Sequence, residues 1–353
     1  MMDKKNGLEF SLDELDLVLN TPVTDPKEIY HFVENNSDTI FTWDYSHSRA
    51  KLHRLYEKAK NSQWNPSTDI DWSIDVDIEK SVLTDQGEIN SSKFIGTPLE
   101  KWKEKEWLEY SIEARRYNIS QFLHGEQGAL MFASKTVQNI PWFDAKLYAS
   151  TQVLDEAKHL EVFSKYLNEK LGGGYQVNSN FKNYMSDIIK DSRWDFTYLG
   201  GQVIGEGLSL SSFGYLYQLT KEPLIKQILG YIMKDEARHV AFGVISLSEV
   251  YENMNDLEIK ERQEFAYEAS VGLMGRMVQH EVWDHMGVDS KEITPLVINS
   301  GKNRFMRQAV FTKVVPNCKK LGLLDRNDGW LRKRFEEMGV IQFEDMELTD
   351  EEI

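Results

Sequence analysis

The chain has 353 residues, 41% of them hydrophobic, and a formal net charge of −16. So acidic a surface disfavours nucleic acid and anionic membranes as partners. A single cysteine, Cys318, excludes disulfides, Cys-based zinc sites and an iron–sulfur cluster within one chain. No stretch approaches the run of about 18 apolar residues that a membrane span needs. The first residues lead into no apolar secretory segment, so a cytoplasmic location is expected.

In chain order, residues 1 to about 45 are acidic and weakly periodic. Residues 46–60, with Leu52, Leu55, Tyr56 and Ala59 on one side, predict an amphipathic helix. The stretch from Gln63 to Trp72 follows, in which Trp64 is either a buried loop anchor or a functional residue. Thr97-Pro98-Leu99-Glu100 has the form of a capping box with proline at the first helical position. It predicts a helix to about Tyr117 and a second from about Asn118 to Asn139. The second carries Glu126 on the apolar stripe of Ile119, Phe122, Leu130, Ala133 and Val137. A carboxylate there is costly unless it is paired or holds a metal.

Pro141 breaks the chain, and a helix from Asp144 to about Leu171 presents Tyr148, Gln152, Glu156, His159, Phe163 and Tyr166 on one face. Gly172, Gly173 and Gly174 end it. A short helix near 180–190 leads to a long one over about 194–219, with Leu199, Gln202, Glu206, Ser209, Phe213 and Tyr217 aligned. Gly200, Gly201, Gly205 and Gly207 crowd around Glu206. Each costs a helix interior about 1 kcal/mol, so the cluster predicts backbone distortion, close packing or open space. Gly125 and Gly128 flank Glu126 in the same way, which predicts a substrate cavity between the two helices. Pro223 opens the next helix, to about Tyr251, with Ile228, Ile232, Glu236, His239, Phe242 and Ser246 on one face. Further helices are expected at 257–286, 302–315 and 328–338, before an acidic tail. The basic stretch from Lys302 to Lys320 reads as a solvated helix face or as a patch for an acidic carrier protein. The organisation expected is an N-terminal arm and helix (1–95), a four-helix bundle (96–255) and C-terminal helices with the tail (256–353).

An internal repeat ties these helices together. Glu126, Glu156 and His159 recur as Glu206, Glu236 and His239, each displaced by 80. Residues i and i+3 share a helical face, so each Glu-x-x-His pair can address one ion. Four carboxylates and two imidazoles are the donor set of dinuclear iron and manganese bundles. Asp155 and Asp235 each precede a ligand glutamate and point aside from it. Metal-bound histidines commonly donate their other N–H to a carboxylate, and the pseudo-symmetry suggests crossed pairs, Asp235 with His159 and Asp155 with His239. Two other histidine features are set aside. His280 and His285 enclose a near-match to the His-Glu-x-x-His zinc motif, but the second histidine comes one residue late. His124 faces away from Glu126 on its helix.

On these motifs, over about residues 50–255, the chain resembles the ferritin-like di-iron carboxylate proteins. These include soluble acyl desaturases, ribonucleotide reductase small subunits, bacterial multicomponent monooxygenases and arylamine N-oxygenases. The resemblance implies an all-α fold, a ferritin-like four-helix bundle extended by N- and C-terminal helices. It implies two iron ions (Fe/Fe, or Mn/Fe), O2 as co-substrate, a small-molecule organic substrate, an external electron donor protein and a homodimer. The activity expected is oxidation by hydroxylation, desaturation or N-oxygenation. The alternatives are a radical-generating reductase subunit and a ferroxidase or iron-storage protein. The stretch at Trp64 resembles the reductase subunits, and carries over a hydrogen bond from Trp64 to Asp235. Their radical tyrosine falls at Phe163 here, and the interval from His159 to Glu206 is nearer to the desaturases. Ser209 occupies the place of a desaturase threonine and is a candidate for proton delivery.

Overall fold

The computed structural model describes residues 12–86, 94, 96–298 and 308–346, and contains no strand among them. The order of helices is α1 (Leu12–Asn20), α2 (Ala50–Asn61), α3 (Ile78–Gln86), α4 (Glu104–Asn139), α5 (Phe143–Lys170), α6 (Ser179–Lys190), α7 (Trp194–Thr197), α8 (Glu206–Leu219), α9 (Pro223–Glu252) and α10 (Asp256–Gly275). Shorter helices follow at His280–His285, Ser290–Ile298, Val314–Lys320 and Arg326–Glu337.

Helices α4, α5, α8 and α9 form the bundle. Only Ile140, Pro141 and Trp142 separate α4 from α5, and only Thr220, Lys221 and Glu222 separate α8 from α9. Connections this short make each pair antiparallel, and each pair packs along its length. The turn into α9 is chemically specified. Glu222 accepts from the backbone N–H of Leu224 at 2.6 Å and of Ile225 at 3.0 Å, while Pro223 takes the first helical position. Tyr166 on α5 donates to the same carboxylate at 2.7 Å, which fixes the α8–α9 turn against α5.

Several expectations need correction. The segment 97–139 is not two equal helices. Thr97 caps only the 3-10 turn Pro98–Lys101, accepting from Leu99 at 3.2 Å, and Glu100 reaches back to Gly96 at 2.9 Å. Trp102 is extended, and a fresh cap, Lys103 N–H to Glu106 at 2.8 Å, opens α4. From there 36 residues run without a break, because no glycine or proline stands near Tyr117 and Asn118, and Tyr117 and Ile119 are both buried. The helix expected over 257–286 is broken by a 3-10 turn, Arg276–Val278, and by Gln279 in the left-handed region (φ 55°). Of the helix expected at 302–315, residues 302–307 lie outside the described residues; the described part is helical at Gln308 and Ala309, then a 3-10 turn, Val310–Thr312, and the start of Val314–Lys320. Arg304 and Arg307 of the basic stretch also lie outside them, as does the tail from 347. Lys319, which does not stand free, bonds to Asp345 at 2.6 Å.

The segment before α8 is wound as a π-helix over Tyr198–Gly205. The backbone N–H of Glu206 bonds to Gly201 O, five residues back. The glycines permit this and close packing together: a Cβ on Gly200 would meet Ile188 at 2.8 Å, and one on Gly201 would meet Phe132 at 3.1 Å. Tyr184 on α6 donates to the Gly200 carbonyl at 2.6 Å, which satisfies an acceptor in the widened turn.

Two apolar clusters bracket the centre of the bundle. One contains Phe132, Tyr148, Leu199 and Phe242 and continues into Phe311 and Leu323 of the C-terminal region. The other contains Trp64, Phe163, Phe213 and Ile228. Along α5 and α9 the residues between these clusters include Glu156, His159, Glu236 and His239, which are fully buried.

Candidate metal centre

The six residues of the repeat converge. Glu126, Glu156, His159 and Glu236 place ligand atoms within 4.8 Å of one another, and Glu156, Glu206, Glu236 and His239 do the same. Glu156 and Glu236 belong to both groups. They lie between two half-sites, each completed by one histidine and one further glutamate. Both imidazoles turn Nδ1 inward. His159 Nδ1 lies 3.3 Å from Glu126, 3.3 Å from Glu156 and 3.2 Å from Glu236. His239 Nδ1 lies 3.1 Å from Glu156 and 3.4 Å from Glu236.

The outward nitrogens meet the crossed aspartates. His159 Nε2 is 3.1 Å from Asp235, and His239 Nε2 is 3.5 Å from Asp155. Trp64 donates its indole N–H to the same Asp235 oxygen at 2.7 Å, so the bond suggested by the sequence is present. Two cations neutralise the aspartates. Lys158 lies 2.8 Å from Asp155, and Arg238 bonds to Asp235. These are equivalent positions of the repeat, one residue before each histidine. The sequence signal was the shared basic residue in Glu-Ala-Lys-His and Glu-Ala-Arg-His.

Sequence reasoning did not assign the glutamine pair above the cluster. Gln152 and Gln202 exchange amide bonds at 3.0 Å in both directions, and Gln152 also donates to Glu156 at 3.0 Å and to Glu206 at 3.2 Å. Each stands four residues before a ligand glutamate, and that spacing was the signal. The histidines set aside stay aside: His124 meets the Tyr175 carbonyl at 2.9 Å, and neither His280 nor His285 joins a ligand group among the described residues.

The electrostatics of the cluster fit cations. Burial, then the charge of Glu236, pushes the carboxyls of Glu126 and Glu206 well above the usual range. Burial opposes ionisation of Glu156 as well, but His239 and His159 outweigh it and hold that carboxyl well below the usual range. Both imidazoles are raised well above 6.5, against burial, by the carboxylates around them. Several inward atoms, Glu156 Oε2, both Glu236 oxygens and His239 Nδ1, have no hydrogen-bond partner. A buried ion without a counter-ion costs several kcal/mol, and two divalent ions would relieve all four carboxylates together.

A cleft reaches this cluster from the side of Glu206. Its lining includes Gly125, Phe132, Phe181, Tyr184, Gly205, Ser209 and Arg276. It lies between the helices of Glu126 and Glu206, where the glycines pointed. Gly125 and Gly205 line it, whereas Gly128 is covered by Met185 and Gly207 faces Val314. Ser209 has no partner among the described residues, unlike Ser211 and Ser212, which bond to carbonyls four residues back at 3.0 and 2.7 Å.

No protein-family model matches the chain, and no curated protein matches it. Solved structures do. A single-substitution variant of an R2-like ligand-binding oxidase with an anaerobically reconstituted Mn/Fe cofactor superposes with a TM-score of 0.51 at 19% identity, covering 79% of this chain and 95% of that one. Another variant of the same description, with a non-activated Mn/Mn cofactor, gives 0.51 at 20% identity over 79% and 94%. At such identity the likeness speaks for the fold. The chain thus has the ferritin-like, all-helical fold that these oxidases share, with a buried carboxylate and histidine cluster suited to a dinuclear metal site.

Proposed function

We propose that the chain is a non-haem di-metal oxidase or oxygenase that uses O2 to oxidise a small organic substrate. The observation that carries this reading is the pair of half-sites sharing Glu156 and Glu236, with a cleft opening beside Glu206. Glu126 and His159 would hold one ion and Glu206 and His239 the other, with Glu156 and Glu236 common to both. Two iron ions, or one manganese and one iron, supply the redox chemistry that activates O2.

The remaining roles belong to the chain. Asp155 and Asp235 fix the tautomer of each histidine so that Nδ1 faces inward, and raise its basicity. The Gln152–Gln202 pair sets the carboxylate planes of Glu156 and Glu206. Trp64, Asp235 and His159 form a continuous hydrogen-bonded path for an electron. Ser209 Oγ is free to hold a proton at the cleft wall. The apolar lining excludes water from the reacting group. Inserting one oxygen atom of O2 and releasing the other as water takes two electrons and two protons from outside the substrate. With one buried cysteine the chain cannot carry an iron–sulfur cluster, so an external electron donor protein is part of the proposal.

A second reading, a radical-generating small subunit like that of ribonucleotide reductase, is favoured by the Trp64 bond. Against it, the position four after His159 is Phe163, buried against Phe122 and Phe213. Oxygen uptake by the iron-loaded, chemically reduced protein tests the primary reading. Rapid uptake is expected, and its loss in Glu156→Ala. Uptake no faster than that of free ferrous iron would refute it.

A further inference from the structure

The cleft holds one charged group that the metal centre does not use, the side chain of Arg276. It stands in the turn that ends α10, and its backbone is pinned. The Tyr117 hydroxyl donates to the Arg276 carbonyl at 2.9 Å. The preceding Gly275 packs so tightly on α6 that a Cβ there would meet Asn180 at 3.1 Å. The guanidinium lies over the Phe181 ring, 4.8 Å from its centroid.

What it lacks is an acceptor. Among the described residues no carboxylate comes within 4.0 Å of it, and it donates no hydrogen bond. Arg276 is half-buried, and two buried arginines are paired by contrast, Arg238 with Asp235 and Arg262 with Asp195 at 2.9 Å. Glu126 and the hydroxyls of Tyr117 and Tyr184 act on the Arg276 guanidinium only through space. The charges of the metal centre close among themselves. Four ligand carboxylates balance two divalent ions, and Asp155 and Asp235 balance Lys158 and Arg238. Arg276 is left over. Burial lowers its pKa, but a guanidinium remains charged at neutral pH. Half-buried at the cleft wall and without an acceptor, the guanidinium presents a planar fork of donors matched to a carboxylate.

We propose that Arg276 anchors the carboxylate of an organic-acid substrate, whose apolar body lies between Phe132, Phe181, Met185 and Leu273 and whose oxidised end reaches Glu206 and Ser209. The assignment rests on the oxidase reading and adds the substrate class. It also fixes direction: the acid end is held at Arg276, so the reacting C–H or N–H group lies toward the other end of the molecule.

Calorimetric titration of the metal-loaded protein with benzoate, 3-phenylpropionate and octanoate, each beside its primary amide, tests this. At least one acid is expected to bind at least tenfold more tightly than its amide. Arg276→Gln should abolish that preference while metal content and amide binding stay unchanged, and Arg276→Lys should keep part of it. If Arg276→Gln does not fold, the acid–amide comparison in the wild type and in Arg276→Lys decides. Equal affinities for acid and amide, no binding of any acid, or a preference that survives Arg276→Gln overturns the proposal. Metal content and oxygen uptake of the same samples separate the two failures. Normal uptake without acid preference rejects only the anchor, and acid preference without bound metal or uptake rejects only the oxidase reading.

Discussion

At the scale of single residues, Asp235 gathers His159, Trp64 and Arg238 on one carboxylate, with Lys158 at 3.7 Å. Burial opposes its ionisation, but the His159 bond and the nearby cations hold it well below the usual carboxylate range. Trp64→Phe keeps the bulk and removes the donor, and is expected to slow the oxidation step in stopped-flow absorbance without altering metal content. Unchanged kinetics would leave Trp64 as packing alone. Gln152→Leu strips a donor from both Glu156 and Glu206, and should weaken metal affinity by about 10–100-fold, the usual loss when a ligand's supporting partner is removed. Competition with a chelator measures it. The aspartates were legible in the sequence because each adjoins a ligand. Arg276 was not. A lone arginine carries no spacing signal, and its meaning depends on which acceptors the fold withholds.

At the scale of elements, the repeat of 80 residues made the four bundle helices readable, because a metal cluster demands side chains on fixed faces. Glycine clustering around Glu206 pointed to distortion without naming it. The π-helix over Tyr198–Gly205 is that distortion, and choosing it needs Phe132 from α4 and Tyr184 and Ile188 from α6, contacts outside the segment itself. Helix ends were less legible. Thr97 to Glu100 has a good cap signature but caps a single 3-10 turn, because Trp102 turns the backbone out before α4 starts. Gly205→Leu sends a branched side chain into the cleft; a Cβ alone already meets Tyr184 Oη at 3.4 Å. Turnover should be abolished while metal content, read by elemental analysis, stays the same. Full activity in this variant would place the substrate elsewhere.

At the scale of the whole molecule, the C-terminal region adds to the core rather than trailing from it. Phe311, Cys318 and Leu323 are fully buried in the larger apolar cluster. Burial pushes the Cys318 thiol up to about 12. In the unfolded chain a thiol titrates near 8.5, so this stabilisation is complete below that pH and is lost as pH rises toward 12. The native protein should therefore leave a thiol reagent such as DTNB unreacted at pH 8, with labelling appearing only on unfolding; rapid labelling of the native state would contradict the burial. The acidic surface and lone cysteine were read directly from composition, whereas the placing of the last helices depends on long-range packing that no local pattern records. The central claim is the dinuclear centre, and metal content after anaerobic loading tests it most directly. The account predicts about two iron or manganese ions per chain, as six shared ligands imply, falling sharply in Glu156→Ala. A protein that retains only zinc, or no iron or manganese under any loading, would contradict it.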